Sequence, residues 1–215
     1  MSRKAILVGA APFRSRAARA RLKSALREKD VLRVAVDGGY EILRSLGVKP
    51  DLYVGDLDSV RRIHGEIPAV FLPHEKSYSD LRAALEICSE LGIEHVEAWA
   101  VTGGRADHHG ASIEELGAQV RSRRGVSRLE AHGEDAAFLW VTPAAPLKLK
   151  IRPGTVVSVF DLGGAAGVTT KGLAFNLKAG RLESGSHGLS NFARSKSVTV
   201  ALKKGVALVV VPART

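Results

Sequence analysis

The feature that most limits the fold is a change of texture at Thr142-Pro-Ala-Ala-Pro146. Before it, short apolar runs alternate with helical patterns. Lys4–Gly9 reads as a strand, 14–29 as a helix, Val31–Val36 as a strand and 39–46 as a helix closed by Gly47. Leu52–Val54 and Ala69–Leu72 read as short strands, 79–91 as a helix stopped at Gly92, and Ile93–Val101 as a strand that ends in a Gly-Gly loop. A helix over 109–121 and strands near 126–131 and 136–141 follow. After Pro146 only alternating segments occur: Leu147–Ile151, Thr155–Phe160, Lys171–Leu177, Ser197–Leu202 and Val206–Val211, separated by glycines. The expected fold is therefore α/β over 1–141, an N-terminal parallel-sheet domain with helices on its faces, then a small C-terminal antiparallel β-sandwich domain over 147–215. A ligand site in such an α/β unit belongs beyond the carboxyl ends of its strands.

Charge raises the question of a polyanionic partner, because 32 Lys and Arg against 22 Asp and Glu leave +10 over 215 residues. Many of the basic residues fall in one helical stretch, Arg14, Arg16, Arg19, Arg21, Lys23, Arg27 and Lys29, with others at Arg121, Arg123, Arg124 and Arg128. Alanine and leucine separate them at helical intervals, as on a solvated helix face, and aromatic residues are only 5%, too few for a base-stacking platform. No nucleic-acid partner is expected. No apolar run approaches the ~20 residues of a membrane span, and the chain runs from Met1 into a strand without a signal-peptide pattern, so no membrane partner and a cytoplasmic location are expected. The single cysteine, Cys88, excludes an internal disulfide and reads as a buried apolar filler.

Four loops of the first domain, each after a strand, collect its acidic and glycine residues. Asp37-Gly38-Gly39 offers close backbone approach and a carboxylate for a hydroxyl or a metal-bound water; a helix N-cap in a tight turn is the alternative. In Gly55-Asp56-Leu57-Asp58-Ser59 two carboxylates at i and i+2 leave a strand on one side, where they repel unless a hard cation such as Mg²⁺ holds them. Capping of a following helix by Asp58-Ser59 accounts for Asp58 and leaves Asp56 unexplained. Lys76-Ser77-Tyr78-Ser79-Asp80 opens a helix, an anion site beside a lysine, with Asp80 able to join the metal cluster or merely to complement the helix dipole. Gly103-Gly104-Arg105-Ala106-Asp107-His108-His109 carries an arginine suited to phosphate; the adjacent histidines lack zinc spacing. The chain contains no Walker A sequence, no G-x-G-x-x-G and no nucleophile elbow. A carboxylate and Mg²⁺ centre beside glycine loops and basic residues is the equipment for phosphoryl or diphosphoryl transfer.

Together these loops resemble the thiamine pyrophosphokinase family, which carries D-G-G, P-D-x-x-x-G-D-x-D-S, K-D-x-T-D and G-G-R-x-D-H in this order. Here they stand at Asp37–Gly39, Pro50–Ser59, Lys76–Asp80 and Gly103–His108, and the second domain is similar through Gly167–Leu173 and Gly188–Asn191. Ser77 and Ser79 replace the third motif's first aspartate and its threonine, and Ser112 stands where asparagine is common. The resemblance implies transfer of a diphosphate from ATP to the hydroxyethyl oxygen of thiamine. Asp56, Asp58 and Asp80 would hold Mg²⁺, with Asp37 as a further catalytic carboxylate. Gly38, Gly39, Lys76, Ser79, Gly104, Arg105, Asp107 and His108 would line the nucleotide side, and Thr169, Thr170, Ser190 and Asn191 the thiamine side. It also implies a homodimer with shared sites. The alternatives are a related diphosphotransferase acting on a hydroxymethylpterin and a thiamine-binding protein with decayed catalysis.

Overall fold

A computed structural model describes residues 4–60, 62–122 and 125–213. Arg123 and Arg124 of the basic group lie outside the described residues. The chain divides into two compact units, Met1–Gln119 with Arg124–Glu134 and Val120–Arg123 with Asp135–Thr215.

The first unit follows the order β1 (Lys4–Val8), α1 (Arg16–Ala25), β2 (Val31–Val36), α2 (Gly39–Ser45), β3 (Leu52–Gly55), β4 (Ala69–Phe71), α3 (Asp80–Glu90), β5 (His95–Trp99), α4 (Ala106–Ser122), β6 (Arg128–His132). Its strands are parallel and lie in the order β4-β3-β2-β1-β5-β6. Alternation along the strands sends Ile6, Val8, Val31, Ala35 and Tyr53 into one buried cluster with Ala18 and Leu22 of α1 and Leu43 of α2. The intervening residues Ala5, Leu7, Val34, Val54 and Val96 are equally buried, so both faces of the sheet are covered, as a parallel sheet requires. Strand connections run outward from β1 through β2, β3 and β4, and from β5 to β6 on the other side. The order reverses between β1 and β5, which marks the place where α/β sheets bind ligands.

Two helices differ from their sequence expectation. The first is shorter than 14–29: Ser15 caps it by accepting from Ala18 N at 3.4 Å, and beyond its C-cap at Leu26 the chain reaches Asp30, whose φ of 58° cannot continue a helix. α4 starts at Ala106 rather than 109, which puts Asp107 in its first turn where a carboxylate complements the helix dipole.

The second unit comprises β7 (Ala136–Val141), β8 (Leu147–Lys150), β9 (Val156–Asp161), β10 (Ala166–Lys171), β11 (Gly180–Arg181), β12 (Asn191–Phe192), β13 (Ser197–Ala201) and β14 (Ala207–Pro212). Two antiparallel layers, β12-β9-β14-β7 and β11-β10-β13-β8, enclose one core. Leu139, Val159 and Val209 enter it from one layer and Val168, Val198 and Val200 from the other, the anatomy of a sandwich. β7, which the sequence attaches to the α/β unit, pairs antiparallel with β14 from Ala136↔Pro212 to Val141↔Ala207. The strand expected at Lys171–Leu177 lies earlier, at Ala166–Lys171. Its register shifts between Ala166 and Val168, so Gly167, which reads as a break, is a bulge. Residues after Lys171 turn back, held by Asn176, whose side chain accepts from Leu173 N at 3.2 Å and donates to Leu173 O at 2.8 Å.

Candidate active site

β2 and β3 end side by side, and their last residues begin the site. Asp37 N–H donates to Val54 O at 2.8 Å, and Asp37 takes a φ of 44°, a left-handed conformation uncommon outside glycine and stored most often at functional positions. Two glycines make room for this corner. A Cβ on Gly39 would lie 1.7 Å from Val8 O, and one on Gly55 would lie 2.9 Å from Asp37 Cα. Gly39 thus seats the start of α2 on the end of β1, while Gly55 lets β3 pass beside Asp37. Gly38 is the N-cap of α2 and packs toward Ala10 and Ser59. Beneath the corner the wholly buried Tyr53 donates its hydroxyl to Asp37 Oδ1 at 3.3 Å; burial and then the Asp37 charge push that hydroxyl above the usual phenol range, so it stays a donor.

Asp56 and Asp58 come together by a turn rather than by strand alternation. Leu57 takes a φ of 66°, and Asp58 N donates to Asp56 Oδ1 at 3.2 Å. No helix follows for Asp58-Ser59 to cap among the described residues; the Ser59 hydroxyl donates to Asp58 Oδ1 at 2.7 Å. One carboxylate oxygen from each of Asp37, Asp56 and Asp58 lies within 4.8 Å of the others. Three hard oxygen donors at this spacing fit an oxygen-seeking divalent ion.

Asp80 is not part of that group and is tied to it through Lys76. The Lys76 ammonium lies 2.6 Å from Asp56 Oδ2 and 3.1 Å from Asp80 Oδ1. Hydrogen bonding from Lys76 holds the Asp56 carboxyl below the usual carboxylate range against the opposing effect of burial. For Asp80 burial dominates and pushes the carboxyl up, opposed by Lys76 and reinforced by the Asp56 and Asp37 charges. Lys76 itself is raised, first by its bond to Asp56. His74 Nδ1 stands 3.6 Å from Asp56 Oδ2 on the exposed side.

These groups line a cleft of about 790 Å³ at the carboxyl ends of the strands, with Gly9, Val101, Asp107, His108, Ser112 and Glu115 on its other wall. Of the nucleotide-side residues taken from the sequence, Lys76, Ser79, Asp107 and His108 line it; Gly38, Gly39, Gly104 and Arg105 do not. The Ser79 hydroxyl caps α3, accepting from Arg82 N at 3.0 Å and donating to Glu115 Oε2 at 2.6 Å. Arg105 is exposed and pairs with Asp107 at 2.6 Å, which holds Asp107 down at about 2. Gly103 N donates to His109 Nδ1 at 3.0 Å. Tyr53, His74 and Glu115 were not singled out from sequence: Tyr53 reads there as strand core, and the motif spacing gives no signal for the other two.

The second unit has its own cavity of about 290 Å³, lined among others by Thr170, Phe175, His187 and Asn191. Thr169 and Ser190 are not among its lining residues. All four residues read as substrate-binding hold loops. Thr169 Oγ1 accepts from Ala179 N at 3.2 Å, Thr170 Oγ1 accepts from Leu177 N at 2.9 Å, and Ser190 N donates to Ser158 Oγ at 3.0 Å. Asn191 donates to Phe175 O at 2.7 Å and accepts from Phe175 N at 3.2 Å. Phe175, 74% exposed at the rim, and His187 are the side chains that sequence reasoning did not find here.

Hard oxygen donors and a lysine converging beyond a parallel sheet, followed by a β-sandwich, define a group-transfer enzyme of the phosphate-handling class. Comparison with known proteins narrows the class. Residues 24–126 match the family model "Thiamin pyrophosphokinase, catalytic domain" and residues 146–207 match "Thiamin pyrophosphokinase, vitamin B1 binding domain". A curated thiamine pyrophosphokinase of Bacillus subtilis (strain 168) is 34% identical over 95 residues, 41% of this chain and 44% of that protein, so the aligned stretch spans under half of that relative. The crystal structure of thiamine pyrophosphokinase from Bacillus subtilis superposes with a TM-score of 0.82 at 20% identity, covering 99% of this chain and 100% of that one. The thiamin pyrophosphokinase of Geobacillus thermodenitrificans gives 0.77 at 21% identity, covering 99% and 98%. The chain belongs to the thiamin pyrophosphokinase family, a family of diphosphotransferase enzymes.

Proposed function

We propose that this protein transfers a diphosphate group from ATP to the hydroxyethyl oxygen of thiamine, giving thiamine diphosphate and AMP. The observation that carries the reading is the convergence of Asp37, Asp56 and Asp58 within 4.8 Å beside Lys76. In this reading the first unit handles ATP and Mg²⁺ and the second handles thiamine. Asp37, Asp56 and Asp58 would hold the Mg²⁺, with Asp80 as a further carboxylate behind Lys76. An ion held there would supply positive charge against the phosphates. Lys76 supplies a further positive charge from the cleft wall, and Asp107 and His108 border the nucleotide, with Arg105 held beside them through its pair to Asp107. The thiamine alcohol attacks the β-phosphorus, the bond from that phosphorus to the oxygen bridging to the α-phosphate breaks, AMP leaves, and the alcohol proton passes to the site or to solvent. The match of residues 146–207 to a vitamin B1 binding domain supports thiamine over a hydroxymethylpterin as acceptor.

Thr170, Asn191, Phe175 and His187 border the cavity proposed for thiamine, and Thr169 and Ser190 hold the adjoining loops. The working form is a homodimer in which the sandwich of one chain completes the phosphate centre of its partner. It works in the cytoplasm, consistent with a lone Cys88 that is fully buried and whose thiol burial pushes up to about 12. No described helix is long and apolar enough to cross a membrane. The deciding assay measures AMP formed from ATP as a function of both thiamine and Mg²⁺. Dependence on both is the expected result, and AMP formation indifferent to thiamine, or none at all, overturns the reading.

A further inference from the structure

Lys76 contacts a member of the carboxylate group that would hold a divalent cation. Its Nζ contacts Asp56 Oδ2 at 2.6 Å and Asp80 Oδ1 at 3.1 Å, and the side chains of Lys76 and Asp56 are 9% and 8% exposed. Asp56 also belongs to the group of carboxylates whose oxygens lie within 4.8 Å of one another. One buried carboxylate is therefore claimed from two sides, by an ammonium already in contact and by the position a divalent ion would take. Two cations on one carboxylate, away from bulk water, repel strongly. Lysine is suited to give way, being a compact charge on a flexible stem whose three donors accept any anionic partner. The cleft that Lys76 lines is the one proposed to receive a polyphosphate.

Resting on the diphosphotransferase reading above, we propose that Lys76 is an internal competitor of the metal. Its ammonium neutralises Asp56 and Asp80 when no metal is bound, lowers the affinity of the centre for a divalent cation alone, and exchanges onto the phosphates when nucleotide enters. Metal and nucleotide then bind cooperatively, each tightening the other by the same factor. Such coupling keeps the carboxylates from holding a divalent ion unproductively without substrate.

The test uses Mn²⁺ as the probe ion on the full chain, with free Mn²⁺ read from its electron paramagnetic resonance signal, with and without a non-hydrolysable ATP analogue. Wild type is expected to bind Mn²⁺ weakly alone and at least about tenfold more tightly with the analogue, a difference of about 1.4 kcal/mol. Lys76→Met should bind Mn²⁺ alone at least about tenfold more tightly than wild type and gain little from the analogue, because the competing charge is gone. Lys76→Arg, which keeps the charge, should resemble wild type without nucleotide. A folded Lys76→Met protein that binds Mn²⁺ no more tightly than wild type overturns the proposal, as does a Lys76→Arg protein that tightens like Lys76→Met. Should Lys76→Met fail to fold because Asp56 and Asp80 repel, Lys76→Gln, which still donates to a carboxylate, is judged by the same criterion. Wild type that binds Mn²⁺ no better than Asp58→Asn in either condition overturns the metal centre and the proposed function with it. Binding in wild type with no change in Lys76→Met removes only the present inference.

Discussion

Asp56 holds several relationships at once: its Oδ1 accepts from Asp58 N and shapes the turn, its Oδ2 meets Lys76 and stands 3.6 Å from His74 Nδ1, and its carboxylate faces Asp37 and Asp58. Replacing it with asparagine therefore alters packing and chemistry together, whereas the Asp58 side chain is exposed and accepts from the hydroxyl of its neighbour Ser59. Asp58→Asn is the cleaner variant and is expected to lower kcat by at least ~100-fold with an unchanged melting temperature, since a lost ligand forfeits several kcal/mol of charge stabilisation. A near-normal rate in steady-state assay would remove Asp58 from the metal set. Asp80→Asn distinguishes two roles: a loss comparable to that of Asp58→Asn makes Asp80 part of the catalytic centre, and a mild one leaves it as the partner of Lys76 at the start of α3. The Asp56–Lys76 pair also sets a pH window. Asp56 is depressed in the fold, so its stabilisation is present above the ordinary 3.8 and is lost as pH falls through the lower folded value. Lys76 is raised, so its stabilisation is present below the ordinary 10.5 and is lost as pH rises through the folded value. Melting curves should show Asp56→Asn less stable than wild type at neutral pH, with the gap closing below about pH 4.

At the scale of elements, the basic helix was legible and its details were not. Arg16, Arg21 and Lys23 of α1 are exposed, as helical spacing of alanine and leucine implies, but Arg19 reaches across to donate to Ser45 Oγ at 2.6 Å and to Phe13 O at 3.4 Å. Replacing Arg16, Arg21 and Lys23 together with glutamine should leave both Michaelis constants within about twofold of wild type, because exposed charges act weakly at physiological ionic strength. A large rise in either constant would bring α1 into the site. Strand positions and the loops after them could be read because apolar alternation and glycine are local signals. What could not be read depends on partners distant in sequence. Asn191 looks like a free polar group and is spent on the backbone of Phe175, and Glu130 looks like an ordinary strand residue. In the fold Glu130 is paired to Arg128 at 2.7 Å, with His132 at 3.5 Å and His95 at 3.7 Å. Burial pushes its carboxyl up, but hydrogen bonds from His132, His95 and Arg128 outweigh burial and hold it well below the ordinary 4.5. Its stabilisation is then present above that ordinary value and is lost as pH falls toward the depressed one. Glu130→Gln should cost about 1–3 kcal/mol at pH 7 and flatten the acid limb of stability, measured by urea unfolding across pH. Equal stability of variant and wild type at neutral pH would show that the network contributes nothing.

For the whole molecule, the sequence placed the break between units near Pro146, whereas the compact units meet the chain earlier, after Glu134, because β7 finds its partner in β14 some seventy positions later along the sequence. The first unit carries an acidic cleft and the second a smaller, partly apolar cavity. A diphosphate acceptor must present its alcohol to the phosphate centre, so in the proposed homodimer the second unit of one chain serves the first unit of the other. Subunit mixing tests this, and the geometry decides which variants to mix. Asn191→Ala would release the loop around Phe175 and confuse binding with folding. Phe175 is 74% exposed on the cavity rim, so Phe175→Ala trims the cavity wall while leaving the sandwich core of Val159, Val168, Val198 and Val209 intact. Asp58→Asn disables the other half. Each variant alone should be weak or inactive. In a mixed dimer one of the two shared sites draws both of its halves from unaltered surfaces, so up to about half the activity of a wild-type dimer should return in each heterodimer. With random exchange between equal amounts of the two variants, about half of the dimers are mixed, and recovery should approach a quarter of wild type. Activity that stays at the mean of the parents, once subunit exchange has been verified by differential tagging, means that each chain builds its site alone. An active monomer in analytical ultercentrifugation would lead to the same conclusion by a separate route.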